Sequence, residues 1–254
     1  MFMHTQTSPT AATQPWRLPP HGLTVFHGER QAPRLSHYFL PRLALEGKRI
    51  LFLDGANCAD PRLMARLAER RGMPFAQFNQ QIMLARAFTC FQLTELIGRV
   101  PQFLAEFPAQ VLIVTAFPEL YFDEDIRHAD ATAAFQQALK ALTIVDGRLS
   151  IDPIDNRQSK IDNGQRPALA VALFSAASGF QPPAGRQRFF AQTCAAATEL
   201  WKFQVDEHGR LGLIQQTEGV DVARPPVLGV RGSSLANAGN LQDAYLPAVS
   251  GACV

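Results

Sequence analysis

The sequence predicts an α/β fold: a mostly parallel sheet flanked by helices, with an antiparallel hairpin at one edge. Short, almost wholly apolar runs such as Ile50-Leu51-Phe52-Leu53, Val111-Leu112-Ile113-Val114 and 168–174 suit strands buried on both faces. Between these runs lie segments whose apolar residues recur at helical spacing. Later, 198–205 and 210–215 flank Asp206-Glu207-His208-Gly209, which has the form of a hairpin turn with glycine at the left-handed position. Strands alternating with helices imply right-handed βαβ units, so the hairpin belongs at an edge.

Taken in order, 1–21 is polar and punctuated by Pro9, Pro15, Pro19 and Pro20, and it reads as a flexible arm. The α/β domain is expected over 22–218. Leu23 to Phe26 is a short β-type run, and a helix over 34–45 should be kinked by Pro41. After the strand at 49–53, Asp54-Gly55 signals a turn. Asp60-Pro61 then reads as an N-cap followed by proline at the first helical position, with Leu63, Met64 and Leu67 on one face. A strand is expected over 82–87, and Thr89 with Gln92 has capping-box spacing at the start of the next helix, which Pro101 interrupts.

Residues 123–142 predict an alanine-rich helix whose acidic start, Asp123-Glu124-Asp125, suits the positive end of the helix dipole. A charged loop over 146–165 precedes the strand at 168–174. From 219 to 254 the chain loses periodicity and gains Pro, Gly, Ser and Asn, as a flexible tail does.

Composition is that of a soluble globular protein: 47% hydrophobic, 18% charged and a formal net charge of +2. That charge is too small to indicate nucleic-acid binding unless a local patch supplies it. The four cysteines (Cys58, Cys90, Cys194 and Cys253) form no CxxC pair, which argues against a zinc ribbon or a redox dithiol, and Cys58 and Cys90 adjoin apolar runs as buried thiols do. The six histidines lack the spacing of a metal-bearing helix face, so no metal site is expected. No run approaches the roughly 18 apolar residues of a membrane span. A cytoplasmic location is expected.

Several stretches, in order, resemble the RecA/Rad51/RadA recombinase ATPase core. Ile50-Leu51-Phe52-Leu53-Asp54-Gly55, followed by Asp60-Pro61-Arg62-Leu63, resembles that family's second core strand, acidic turn and "ERL"-type helix start. Leu84-Ala85-Arg86-Ala87-Phe88 with Gln92-Leu93 is similar to its "ARA(F/Y)…QL" junction, the most specific match. Val111 to Val114 stands where the Walker B strand would be, and Leu169 to Ser175 with the loop behind it resembles the strand and second DNA-binding loop. The resemblance covers about 23–219. It implies a P-loop-type fold and edge-to-edge association with copies of itself or with a recombinase-like partner.

The resemblance also implies an ATP site, and there the pattern departs from the family. A phosphate loop has the form GxxxxGK[ST]. Gly28-Glu29-Arg30-Gln31-Ala32-Pro33-Arg34-Leu35 occupies its place, keeping the first glycine but putting Pro33 for the second, Arg34 for lysine and Leu35 for the Mg²⁺-binding hydroxyl. Proline has no N–H for a phosphate, arginine is a planar fork rather than a compact ammonium, and leucine cannot ligate a metal. The Walker B acid is Thr115, and Ala56 holds the position expected for the water-activating glutamate. Loss of a single charge-stabilising contribution can cost about 10³-fold or more in phosphoryl transfer.

Gly28, Arg30 and Arg34 are therefore expected as a vestigial phosphate loop that binds ATP weakly, without Mg²⁺, or not at all. The expected function is a non-hydrolysing RecA-like accessory or binding protein linked to DNA recombination or repair. Two alternatives stand beside it: a divergent nucleotide-binding ATPase in which Arg34 replaces the lysine, and an interaction scaffold with no nucleic-acid role. The resemblance places 178–190 at the second DNA-contacting loop, with Arg186, Arg188 and Phe189 as candidate contacts to single-stranded DNA. A surface loop whose phenylalanines return to the core is the other reading of the same residues.

Overall fold

The computed structural model describes residues 18–145, 169–205, 211–216 and 239–240. Its strands are β1 (Gly22–His27), β2 (Ile50–Asp54), β3 (Ile82–Arg86), β4 (Val111–Thr115), β5 (Ala170–Ser175), β6 (Glu199–Val205), β7 (Leu211–Gln215) and β8 (Gly239–Asn240). The helices are α1 (Ala32–Leu35), α2 (Leu40–Leu45), α3 (Pro61–Glu69), α4 (Phe75–Asn79), α5 (Cys90–Gly98), α6 (Val100–Glu106), α7 (His128–Val145) and α8 (Arg188–Ala195). The strands form one sheet in the order β3-β2-β4-β5-β1-β6-β7-β8. Every pairing from β3 across to β6 is parallel, and β6-β7-β8 runs antiparallel at the far edge. The mostly parallel sheet and the edge hairpin are thus as the sequence predicts.

The continuous apolar runs have a direct physical cause, because the central strands bury both faces. Leu23 and Val25, Leu51 and Leu53, Leu112 and Val114, and Val171 and Leu173 enter one core with Leu93, Ile97, Phe135 and Leu142. Their neighbours Phe26, Ile50, Phe52, Ile113 and Phe174 enter a second core with Leu40, Leu43, Met64 and Phe78. Period-two alternation therefore divides each strand between two helical layers: α1–α4 cover one face, and α5–α8 the other.

Local chemistry explains most element boundaries. Asp60 accepts from Arg62 N and Leu63 N, opening α3 as an N-cap with Pro61 behind it. Thr89 accepts from Gln92 N, and Gln92 Oε1 accepts in return from Phe88 N, one residue before the usual capping-box donor. Pro101 sits in the first turn of α6, so the expected interruption becomes a boundary between α5 and α6.

Three expectations are corrected. The helix expected over 34–45 is broken into α1, a 3₁₀ turn at Ser36–Tyr38 and α2, with Pro33 and Pro41 each in the first turn of its own helix. The helix expected from 123 begins at His128, after a 3₁₀ turn at Glu119–Phe122. Asp123-Glu124-Asp125 is therefore a loop, in which Asp125 N donates to Asp123 Oδ1, and not a helix start. Two short helices, α4 and α8, were not anticipated, the second because proline and glycine at 182–185 masked the apolar spacing after it. The hairpin turn at 206–209, the loop 146–165, most of the arm and nearly all of the tail lie outside the described residues.

The larger core is organised by stacked aromatics. Phe135 stacks on Phe189 with centroids 4.3 Å apart, lies 5.5 Å from Phe117 and meets Tyr121 edge-on at 5.6 Å. Phe135→Ala should cost about 3–5 kcal/mol in urea unfolding, since no neighbour can fill the vacated ring. Phe88→Ala, at an exposed ring, should stay within about 0.5 kcal/mol of wild type.

Candidate functional site

In an open α/β sheet, ligands bind at the carboxyl ends of the strands, where neighbouring loops depart to opposite faces. From β1 the chain runs toward the β3 edge with α1–α4 on one face, then returns through β4, β5 and β6 with α5–α8 on the other. Such points therefore arise twice, between β1 and β5 and between β2 and β4. The loop 28–31 meets 177–179 at the first: a Cβ on Gly179 would stand 3.5 Å from Arg30 N. The loop 55–60 meets 116–120 at the second, where a Cβ on Gly55 would lie 2.6 Å from Thr115 O, an approach only glycine permits. Asn57 and Ala116 take left-handed backbone (φ 49° and 58°), and both border this second crevice.

Asp54 closes β2 with no exposed surface. Its Oδ1 accepts from Cys58 N at 3.0 Å and from Thr115 Oγ1 at 3.1 Å. Oδ2 accepts from Ala59 N at 2.9 Å and lies 3.3 Å from Arg86 Nε. Three hydrogen bonds and one ion pair thus occupy the carboxylate, out of about four acceptor positions. Thr115, at the place of the Walker B acid, donates to Asp54 and accepts from Ala56 N at 3.1 Å. This cluster joins the ends of β2, β3 and β4 and commits both Asp54 oxygens to protein partners.

The loop after β1 is held just as closely. Gly28 N donates to Ser175 O, Ala32 N to Glu29 O and Arg34 N to Gln31 O, while Pro33 has no N–H to give. Four of the loop's residues thus have no free amide to give a phosphate, while those of Glu29, Arg30 and Gln31 make no hydrogen bond among the described residues. Arg34 NH2 pairs with Asp60 Oδ2 at 3.1 Å, across a cleft of about 430 Å³ that Arg30, Asn57 and Cys58 also line. Beneath it, Asp60 N donates to His37 Nε2 at 3.2 Å, so His37 Nδ1 carries the proton and donates to Arg34 O at 2.8 Å. Burial holds the His37 pKa below its ordinary 6.5. The Cys58 thiol is pushed up to about 12, chiefly by burial, and is therefore a poor nucleophile.

Of the candidate nucleic-acid contacts in 178–190, two lie inside the protein. Arg186 is 4% exposed and donates from NH1 to Tyr121 O at 3.0 Å and to Asp123 O, and from NH2 to Ile126 O. It is a clasp for the loop before α7. Phe189 is buried against Phe135 and Phe122. Arg188 alone of the three is exposed.

One residue escaped the sequence reading. Glu119 follows β4, and its Oε1 accepts from Ala176 N in the loop after β5. The side chain is half-buried as a whole, but Oε2 is fully buried and without a partner. Burial raises its pKa from 4.5 to about 7. No motif marks a lone glutamate; only the burial and the missing partner single it out. Among the described residues no group of three or more His, Cys, Asp or Glu could hold a metal ion, and no helix is long and apolar enough to cross a membrane. No family model matches the chain, and no curated protein matches it in sequence.

Two predictions follow from these geometries. Asp54→Ala strands two amides, the Thr115 hydroxyl and the Arg86 guanidinium, and should cost about 3 kcal/mol or more in chemical unfolding. For Glu119, the folded pKa lies above the unfolded one, so the folded state keeps a proton the unfolded chain has released. Stability from this group is therefore lost as pH rises from about 4.5 to about 7. Glu119→Gln should gain up to about 3 kcal/mol over wild type above pH 7, shrinking toward nothing near pH 4, when urea midpoints are followed across pH.

Proposed function

We propose that this chain is a RecA-like binding or accessory module that does not hydrolyse ATP. The observation that carries the proposal is the state of the two would-be nucleotide loops. The loop after β1 spends the amides of Gly28, Ala32 and Arg34 on Ser175 O or on its own turns, has none at Pro33, and holds its arginine on Asp60. The acidic turn after β2 has both carboxylate oxygens engaged by protein donors and by the Arg86 guanidinium. A nucleotide would meet Arg34 already paired with Asp60 in a half-exposed ion pair, and a leucine where the Mg²⁺-binding hydroxyl should stand.

Further support for a RecA-type core is positional. The segments that carry the resemblance fall on β2, β3, β4 and β5 and on the loops at their carboxyl ends, and the loop after β1 opens at a switch point of the sheet. The link to recombination or repair rests on this resemblance. A direct nucleic-acid role has little surface to act with, because 178–190 presents Arg188 without Arg186 or Phe189, beside the carboxylates of Asp123 and Glu124.

Calorimetry with millimolar ATP, with and without Mg²⁺, should show no binding, and the same sample should release no phosphate. Mg²⁺-dependent binding that disappears in Arg34→Ala would establish the divergent ATPase instead. Any binding to single-stranded DNA should fall with salt at a slope of about one per phosphate contact and vanish in Arg188→Ala.

A further inference from the structure

A cleft of about 310 Å³ lies between the loops after β4 and β5, distinct from the one beside Arg34. Its walls include the rings of Phe88, Phe122 and Phe180, and the carboxylate residues Glu119, Asp123 and Glu124. Phe88 and Phe180 are 63% and 48% exposed among the described residues, high for large apolar side chains. Arg186, in the loop after β5, is turned inward onto backbone carbonyls, and none of the described residues that line the cleft is lysine or arginine. Glu119 adds an independent observation: of the two described side chains with buried polar atoms left unpartnered, it is the one that lines this cleft.

Aromatic rings attract cations through their faces, and a buried carboxylate with one oxygen left without a donor supplies, once ionised above about pH 7, a localised negative charge in a low-dielectric setting. Three rings and three carboxylates around one opening therefore select a cation. Guanidinium fits better than ammonium because it is planar, more weakly hydrated, and able to stack on a ring while donating to a carboxylate. We propose that this cleft binds an arginine side chain of a partner protein, its guanidinium over the Glu119 carboxyl group and against the Phe88 and Phe180 rings.

The surrounding surface favours a protein over a free metabolite. Three residues along the chain from Phe88, Phe91 is 50% exposed on the first turn of α5 and lines a second cleft. The carboxylates of that second cleft, Glu95 and Asp130, are already paired with Arg99 and Arg127, so it offers apolar contact flanking the charged site. A surface of this kind suits a segment of chain, with an arginine anchor and an apolar neighbour. The proposal shares with the binding-module reading only the supposition of a macromolecular partner, and it stands whether or not ATP binds.

The test uses the full chain and a short synthetic peptide with one central arginine among glycines, titrated while amide resonances are followed by NMR. Shifts are expected around Phe88, Glu119 and Phe180, absent with the same peptide carrying citrulline, which has the shape without the charge. Glu119→Gln should weaken binding about tenfold, equivalent to about 1.4 kcal/mol. Phe180→Ala, at a half-exposed ring whose loss cannot unfold the protein, should weaken it severalfold. Equal binding of the citrulline peptide, or unchanged binding in both variants, overturns the proposal. Free arginine binding as tightly as the peptide overturns the assignment to a partner protein. Calorimetry with ATP is unaffected by any of these outcomes, so failure here is separable from failure of the nucleotide reading.

Discussion

The carboxylate of Asp54 is the constraint on which the carboxyl end of the sheet depends. A buried charge survives only when donors replace the water it has lost, and here two backbone amides, a hydroxyl and a guanidinium do so from three different elements. The two amides belong to the loop after β2, so satisfying Asp54 also fixes the course of 55–60. That course delivers Asp60 to the start of α3, where it caps the helix, pairs with Arg34 and donates its own N–H to His37. One charge at a strand end thus sets the position of the loop after β1, a separate segment of chain. Gly55 belongs to the same constraint, because any side chain there would strike Thr115 O and separate β2 from β4.

The same logic governs the arginines. Arg86 serves Asp54, Arg34 serves Asp60, and Arg186 serves three carbonyls of the loop before α7. Each is committed to holding loops together at the carboxyl end of the sheet. A net charge of +2 is then a poor guide to the local field. Around the opening between the β4 and β5 loops the field is set by Glu119, Asp123 and Glu124, with no cation among the lining residues. The surface that the recombinase resemblance would give to DNA has a charge of the wrong sign for phosphate.

The aromatic residues divide by the same geometry. Phe26, Phe39, Phe174 and Phe203 meet on one face of the sheet, and Phe117, Tyr121, Phe135 and Phe189 on the other. Phe88, Phe91 and Phe180, with the same side chain, lie in loops or on the first turn of α5, where no described element covers them. Their hydrophobicity is equal; the covering element differs.

Sequence by itself determined the layers of this protein. Apolar runs at 50–53 and 111–114 specify doubly buried strands because only a sheet covered on both faces accommodates them, and Asp60-Pro61 and Thr89-Gln92 specify helix starts because capping is a contact between residues three apart or fewer. Those are local rules, and they held. The helix over 34–45 and the acidic start at 123 failed because proline placement and the Arg186 clasp, respectively, outweighed periodicity, and the clasp joins residues some sixty positions apart. Site residues were the least legible. Arg186 and Phe189 have the types of a nucleic-acid contact and the positions of core supports, whereas Glu119 carries no motif. Which oxygen lacks a donor and which arginine is already engaged are properties of pairs of atoms distant in sequence, and only the folded chain brings those atoms together.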